Sequence, residues 1–174
     1  MDDINSTLSR LLQPEHSDSS DTTGEIRHGF SLGTHNLLLQ AGTYCELAAR
    51  QNICAIPDCP NWFAGFINHR GHAVPVYDLS RYLELDSGRT RPDKAFWLLL
   101  LNPHPDTAGL IIHALPAVLS DVSVNTRSRT FEIPSALAPF TGQAWVQNGE
   151  LWHELDHGAL LNHLKTQFQL PKQQ

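Results

Sequence analysis

The residues whose types and spacing most clearly suggest catalysis lie near the C-terminus, where His153, Glu154 and His157 form the pattern H-E-x-x-H. On a helix this spacing places two imidazoles on one face as zinc ligands, with the glutamate beside them as a general base. His163 follows where one class of zinc proteases has its third ligand. A small zinc hydrolase is therefore one hypothesis that the pattern raises.

The surrounding sequence argues against zinc catalysis at this pattern. Asn148-Gly149 is typical of a two-residue hairpin turn, so His153 is expected on the strand that follows it. On a continuous strand, His153 and His157 would lie about 13 Å apart, which is too far for both to bind one ion. The methionine that this protease class needs downstream is missing, since the only methionine is Met1. We predict a hairpin, a C-terminal helix and no metal site.

Other catalytic sets are not apparent in the sequence. There is no G-x-S-x-G motif and no glycine-rich phosphate loop. The three cysteines, Cys45, Cys54 and Cys59, form an odd count on irregular spacing, which favours structural thiols in a reducing cytoplasm over disulfides. We predict no catalytic residues, no cofactor and no enzymatic activity.

Composition restricts the class of partner. The 174 residues are 41% hydrophobic, which suits one domain or two small barrels that share a core, and no apolar run is long enough to cross a membrane. The net charge is −6, and residues 1–27 contribute −4 of it through six acids and two bases. The lack of a long apolar run predicts no membrane insertion, and the lack of a basic stripe predicts no nucleic-acid binding. We therefore expect proteins or neutral small molecules as partners.

The N-terminal stretch is acidic and poor in apolar anchors. Residues 13–25 are typical of a flexible tail, and the first residues lack the bases of a secretion signal. Before the tail, Ile4, Leu8, Leu11 and Leu12 recur at helical spacing. Two interpretations stay open for them: a frayed turn that docks on the domain or does nothing, and a short helix that binds a partner's groove.

The rest of the chain has the pattern of an all-β protein with short helices. About ten short strands separated by turn signals are predicted. The clearest are residues 30–32, 37–41, 43–48, 65–69, 72–77, 95–102, 108–114, 141–147 and 150–155.

Turn and cap residues connect these strands. Gly33-Thr34-His35-Asn36 and Arg70-Gly71 predict turns, and Pro75 should lie at a sheet edge or a bulge. Asp78 and Asp156 can each cap a helix. The apolar face of the second helix is predicted to be Leu160, Leu161, Leu164 and Phe168.

Residues 57–79 carry a signature that resembles the CheW-like domain, an adaptor module of bacterial chemosensory arrays. Its P-x-x-P lead-in corresponds to residues 57–60, its G-x-x-N-x-R-G to residues 65–71, and its apolar strand with an internal proline before Asp-Leu to residues 74–79. The resemblance extends over about residues 28–165. It implies two five-stranded SH3-like β-barrels around a shared core, plus a C-terminal helix.

The resemblance also implies domain limits. We expect a flexible acidic tail over residues 1–27 and a CheW-like domain over residues 28–168. Within the domain, the first barrel should cover about 28–85, the second about 94–156 and the helix 157–168.

The implied function is to couple methyl-accepting chemoreceptors to the regulatory domain of a CheA-type histidine kinase. Glu46 falls on the family's glutamate and is expected beside Arg70, in a partly buried crevice between the two barrels. The receptor-binding residues implied are Tyr44, Glu46, Gly65, Asn68, His69, Arg70 and Gly71. Val74 and Val118 are implied as kinase contacts.

Three alternatives stay open within this resemblance. His69 stands where the family has an apolar residue, and it is either an exposed strand-end side chain or a pH- or partner-sensitive contact in the groove. His113 stands where the family has an aspartate. Together with His69, the acidic extension and the length, it makes the chain more similar to PilI-type adaptors of type IV pilus (twitching) systems than to flagellar adaptors. A divergent module without kinase coupling, acting as a decoy or an assembly scaffold, is the further alternative.

Overall fold

The computed structural model describes residues 25–85, 95–120, 122–124 and 133–169. In these ranges the chain forms eleven strands, two α-helices and one short 3-10 helix at Ala138–Phe140. The strands are β1 (Arg27–Leu32), β2 (His35–Leu39), β3 (Cys45–Ala48), β4 (Phe63–His69), β5 (His72–Tyr77), β6 (Trp97–Leu101), β7 (Ala108–Ile112), β8 (Ala117–Leu119), β9 (Ser123–Val124), β10 (Thr141–Gln147) and β11 (Glu150–Leu155). The helices are α1 (Leu79–Tyr82) and α2 (His157–Gln169). Residues 1–24 of the predicted acidic tail, including the apolar repeat at its start, lie outside the described residues.

The strands form two sheets, which confirms the predicted all-β class with twin barrel-like units. One sheet has five strands in the order β3-β6-β7-β5-β4. The other has the order β8-β1-β2-β11-β10-β9, so it contains a sixth strand, the two-residue β9, beyond the predicted five. Two of the pairings, β2 with β11 and β5 with β7, are parallel and join strands that are distant in the chain.

The predicted division of the two barrels along the chain is wrong. We expected the first barrel to end near residue 85, but β1 and β2 pair with β8 and β11, so the first and last segments of the domain share a sheet. The central segment, β3 to β7, forms the other sheet. The physical reason is that the sheet partners are fixed by long-range pairing, which local sequence does not encode. Arg27 is also not part of a tail, because it begins β1.

Apolar side chains form three buried clusters. The largest lies between the two sheets and beneath α2, and it includes Phe30, Leu101 and Leu164. A second cluster belongs to the five-stranded sheet, with Val76 and Leu100 fully buried, and a third packs Leu38, Leu119 and Trp152 within the six-stranded sheet. The shared core expected from the resemblance is therefore present, and each sheet also has an interior of its own.

Local turn and cap predictions are confirmed with one adjustment. The Asp78 carboxylate accepts a hydrogen bond from the Arg81 backbone N–H at 3.1 Å, and Asp156 accepts one from the Ala159 N–H at 2.9 Å. Each acid therefore satisfies a free N–H group in the first turn of its helix. The turn after β1 is shorter than predicted, because β2 already begins at His35 and pairs with Leu32.

The prediction that Pro75 lies at an edge or a bulge is only partly correct. β5 is an interior strand of the five-stranded sheet. Its pairing with β7, however, covers Val76 and Tyr77 only, so that ladder begins just after the proline. Pro75 therefore does not have to donate a hydrogen bond toward β7.

No helix in the described parts of the chain combines the length and the apolar character needed to cross a bilayer.

Candidate functional site

The β4–β5 hairpin turn holds the cation of the candidate site. Arg70 and Gly71 both have positive φ angles, 52° and 85°, as a two-residue type I′ turn requires. The Asn68 side-chain oxygen accepts a hydrogen bond from the Gly71 N–H at 3.0 Å, which fixes the turn from within. The consequence is that the Arg70 side chain is displayed at the tip of the hairpin with 68% of its surface exposed.

Glu46 is the acidic partner and lies on β3. It pairs with the buried Leu100, and Ala48 on the same face packs in the interior of this barrel. Since residues directly opposite in an antiparallel pair share a face, Glu46 extends the interior face of β3 to the barrel end. A carboxylate in such a place needs polar partners.

Three side chains supply those partners. Arg70 Nη2 donates to Glu46 Oε1 at 3.0 Å, and the Tyr44 hydroxyl donates to Oε2 at 3.4 Å. His69 Nε2 lies 3.6 Å from Oε2, an ion pair when the imidazole is protonated. We call Tyr44, Glu46, His69 and Arg70 the carboxylate cluster. It places four of the seven receptor-binding residues expected from the sequence in one group, and His69 in it is largely covered rather than an exposed strand-end residue.

The location of the cluster differs from the expectation. Glu46 and Arg70 were predicted to line a crevice between two barrels, yet both belong to the five-stranded sheet. In its strand order, β3 and β4 are the two outer strands. The ion pair therefore connects β3 with the β4–β5 hairpin, at the two outer edges of a single sheet.

Gly65 contributes to the site through its backbone. It lies at a register shift between β4 and β5 and has a φ of 130°. The next residue, Phe66, forms a two-way backbone bridge with Cys54, with N···O distances of 2.8 and 3.0 Å. A side chain at position 65 would overlap the Cys54 carbonyl oxygen, so only glycine permits this approach.

The two residues implied as kinase contacts differ in exposure. Val74 is 2% exposed and packs inside the five-stranded barrel, so its side chain cannot itself form a partner contact. The sequence correctly predicts that Val74 lies on β5. Because side chains alternate between the two faces of a strand, its side chain faces the barrel interior. Val118 is 65% exposed on β8, an outer strand of the six-stranded sheet, where a partner can reach it.

The H-E-x-x-H residues are dispersed, as the hairpin interpretation predicts. His153 and Glu154 lie on β11, while His157 begins α2 and its Nε2 lies 2.9 Å from Asn102 Oδ1. Glu154 Oε2 accepts hydrogen bonds from Arg27 and Trp145. Among the described residues no group of three or more His, Cys, Asp or Glu side chains converges as metal ligands would. The zinc hydrolase hypothesis therefore has no geometric support.

Two of these histidines have shifted proton affinities. Burial lowers the pKa of the His157 imidazole, although Asp156 opposes the shift. Burial also lowers the pKa of His153, and the nearby His35 lowers it further. Both imidazoles therefore bind protons more weakly in the folded chain than in the unfolded chain, where the pKa is about 6.5.

These shifts predict a pH dependence of stability. The neutral imidazoles contribute fully above a pH of about 6.5, and the free energy of unfolding should fall as the pH drops below that value toward the folded-state pKa. Urea unfolding of the wild type and His157→Gln at neutral and mildly acidic pH measures the effect. We expect the loss on acidification to be smaller in the variant. The exposed His104→Gln serves as the control, and an equal loss in all three proteins would contradict the prediction.

One polar group was missed by sequence reasoning. Arg27 is 5% exposed, its Nε and Nη2 donate to the Leu39 carbonyl oxygen at 3.2 and 3.0 Å, and Nη2 lies 2.6 Å from Glu154 Oε2. Its guanidinium also lies over the Trp145 ring, 4.8 Å from the centroid. Arg27 thus binds together β1, β2, β10 and β11. The only available signal was a base at the start of an alternating strand pattern.

Comparison with known proteins assigns the fold to a family. The family model of the CheW-like domain matches residues 28–165. The structure is similar to the crystal structure of the scaffolding protein TtCheW from Thermoanaerobacter tengcongensis, with a TM-score of 0.57 and 21% identity over 76% of this chain and 88% of that chain. No curated protein matches the chain. Because the family match covers most of the sequence and the twin-sheet architecture agrees with it, the chain belongs to the CheW-like domain family.

Proposed function

We propose that this protein is a non-enzymatic cytoplasmic adaptor that couples methyl-accepting chemoreceptors to the regulatory domain of a CheA-type histidine kinase. The observation that carries the proposal is the carboxylate cluster, in which an exposed arginine is held on a hairpin tip by a partly buried glutamate. Arg70 of the cluster belongs to the family signature, and Glu46 is the residue that falls on the family's glutamate. Family membership supports a scaffold role, and the partners are our inference from it.

The cluster suits protein recognition because it presents a preorganised cation. A guanidinium carries five N–H donors, and the bond from Nη2 to Glu46 holds it in place without covering it. A carboxylate or a helix C-terminus on a receptor can therefore bind at little cost in side-chain ordering. Val118 on the other sheet offers a separate apolar contact for the kinase. An adaptor that touches both partners shifts the kinase between states through differential contacts.

Within this role we favour a PilI-type adaptor of a type IV pilus system, because of the acidic extension and the histidines at positions 69 and 113. Co-purification with pilus-system and flagellar-system receptors and kinases decides between them. Binding to the flagellar set alone would reject the pilus assignment. The alternative function is that of a decoy or assembly scaffold. Failure of the wild type to bind any kinase regulatory domain would favour this alternative.

Replacing Arg70 with alanine tests the receptor-binding role. We expect a loss of receptor binding of about tenfold or more, since a charge-assisted contact to a partner contributes about 1.5–3 kcal/mol. The thermal midpoint should hardly change, because an exposed ion pair contributes less than about 1 kcal/mol to folding. A pull-down of the receptor tip and a melting curve give the two readouts.

Arg81→Ala is the matched control, because Arg81 also has a partly exposed guanidinium in an ion pair, here with the buried Asp78 at 3.3 Å, away from the cluster. Its receptor binding should equal that of the wild type. Equal binding by Arg70→Ala and the wild type would remove the cluster from the receptor interface.

A further inference from the structure

An apolar groove lies between the outer face of the β4–β5 hairpin and the last turns of α2. It has a volume of about 480 Å³. Its rim is formed by Ile56, Cys59, Phe66, Pro75, Lys165 and Phe168, with further aromatic side chains at its floor. We call it the aromatic groove. Ile56, Phe66 and Phe168 are three of the exposed large apolar side chains of the described chain, so an apolar surface here is left open to water.

The walls of the aromatic groove are fixed by ring packing. Phe168 packs edge-on against Phe63 and Trp62, with ring centroids 4.7 and 5.2 Å apart. Phe66 packs edge-on against Phe63 at 5.4 Å. These contacts hold both walls in position before anything binds, so an occupant does not have to order them.

Residues 1–12 of the same chain have the chemistry of an occupant. Ile4, Leu8, Leu11 and Leu12 recur at i, i+4, i+7 and i+8, which on a helix forms an apolar stripe about 100° wide. This is the anchor spacing of helices that lie in hydrophobic grooves. On the same helix Arg10 falls on the opposite, polar face.

Length and charge are compatible with binding in cis. Residues 13–24 separate Leu12 from the start of the folded part at Glu25, and twelve residues can span up to roughly 40 Å. A folded domain of this size has a radius of gyration of about 15 Å, so the linker can reach over a large part of its surface. Among the described residues that line the groove, Lys165 is the one charged side chain, and Asp2 and Asp3, which precede the apolar stripe, carry the opposite charge.

We propose that residues 4–12 form a short amphipathic helix that lies in the aromatic groove of its own chain. Tethering gives such a segment an effective concentration in the millimolar range, so a contact too weak to persist between separate molecules suffices here. The proposal is independent of the adaptor function, because the groove does not include the carboxylate cluster. In this proposal the role of the N-terminal apolar repeat is to cover the aromatic groove.

Alkylation of the native thiols in the full-length protein tests the proposal. Cys59 lines the groove, whereas Cys54 is exposed and not among its lining residues, so the two thiols report separately. Iodoacetamide labelling, followed by peptide mass spectrometry, is compared between wild type and the double variant Leu8→Asp/Leu11→Asp. If the segment covers the groove nine-tenths of the time, the variant should raise the Cys59 rate about tenfold and leave the Cys54 rate unchanged.

The matched control is Ser6→Asp/Ser9→Asp, which adds the same charge to the polar face of the predicted helix and should label as the wild type does. Equal Cys59 rates in all three proteins would overturn the proposal. So would a Cys59 rate that falls with protein concentration and ignores the leucine substitutions, because a second copy of the chain would then be the occupant. Unchanged Cys54 labelling and an unchanged melting curve show that each variant remains folded.

Discussion

Replacing Gly65 with alanine is expected to destabilise the protein by about 3 kcal/mol or more. A residue with a side chain held at such a φ is strained by about 1–3 kcal/mol. The added methyl group would also overlap the Cys54 carbonyl oxygen, which disrupts the two hydrogen bonds between Cys54 and Phe66, each contributing about 1 kcal/mol. For a chain of this length the thermal midpoint should fall by about 6–12 °C in a calorimetric or circular-dichroism melt.

Two other glycines separate the causes of this loss. Gly71 also has a positive φ, but nothing lies within 4 Å of the position its side chain would take, so Gly71→Ala isolates the backbone strain. Gly142 has open space and no positive φ, so Gly142→Ala should be close to neutral. The expected order of destabilisation is position 65, then 71, then 142. A Gly65→Ala protein as stable as Gly71→Ala would show that the approach to Cys54 contributes nothing.

The features that sequence predicts well are those fixed by neighbouring residues. Asn148-Gly149 gives the hairpin between β10 and β11, and both residues have the positive φ angles of 52° and 80° that the turn requires. Asp78 and Asp156 cap the helices because a carboxylate at that position reaches free N–H groups two or three residues ahead. The same local reasoning places His153 on a strand and His157 on a helix. It therefore argues against a zinc site, although the H-E-x-x-H motif is present in the sequence.

The features that sequence predicts poorly depend on distant partners. No local sequence feature indicates that β2 pairs in parallel with β11. The predicted boundary between the barrels therefore does not correspond to the division between the two sheets. Val74 shows the same limit at the level of one residue. The signature places it correctly on β5, but whether it faces the core or a partner depends on which side of the strand the barrel closes.

The candidate site combines both kinds of information. The turn that presents Arg70 is local and was expected from Arg-Gly alone. Its pairing with Glu46, 24 residues away, was expected only from the family resemblance, and the structure brings the two within 3.0 Å. The geometry adds what the resemblance did not contain. Tyr44 and His69 share the same carboxylate, and the Arg70–Glu46 pair connects the outer strands of one sheet.

Replacing Arg27 with methionine is expected to lower the free energy of unfolding by about 3 kcal/mol, the loss typical when one partner of a buried ion pair is removed. Methionine keeps the apolar stem but leaves the Leu39 carbonyl oxygen without its guanidinium donors and Glu154 without its cation. Arg27 and Glu154 are 127 positions apart in the chain, so their contact connects the first strand of the domain to its last. Urea unfolding of the variant measures the loss.

A double-mutant cycle with Glu154→Gln isolates the pair from the other contacts of Arg27. Glutamine retains an acceptor for Trp145 Nε1, so the coupling free energy reports the Arg27–Glu154 interaction and should exceed about 1 kcal/mol. The more exposed pair of Arg70 and Glu46 is the control, and Arg70→Met should cost less than about 1 kcal/mol. If Arg27→Met costs no more than Arg70→Met, the ends of the domain are held by apolar packing and not by this ion pair.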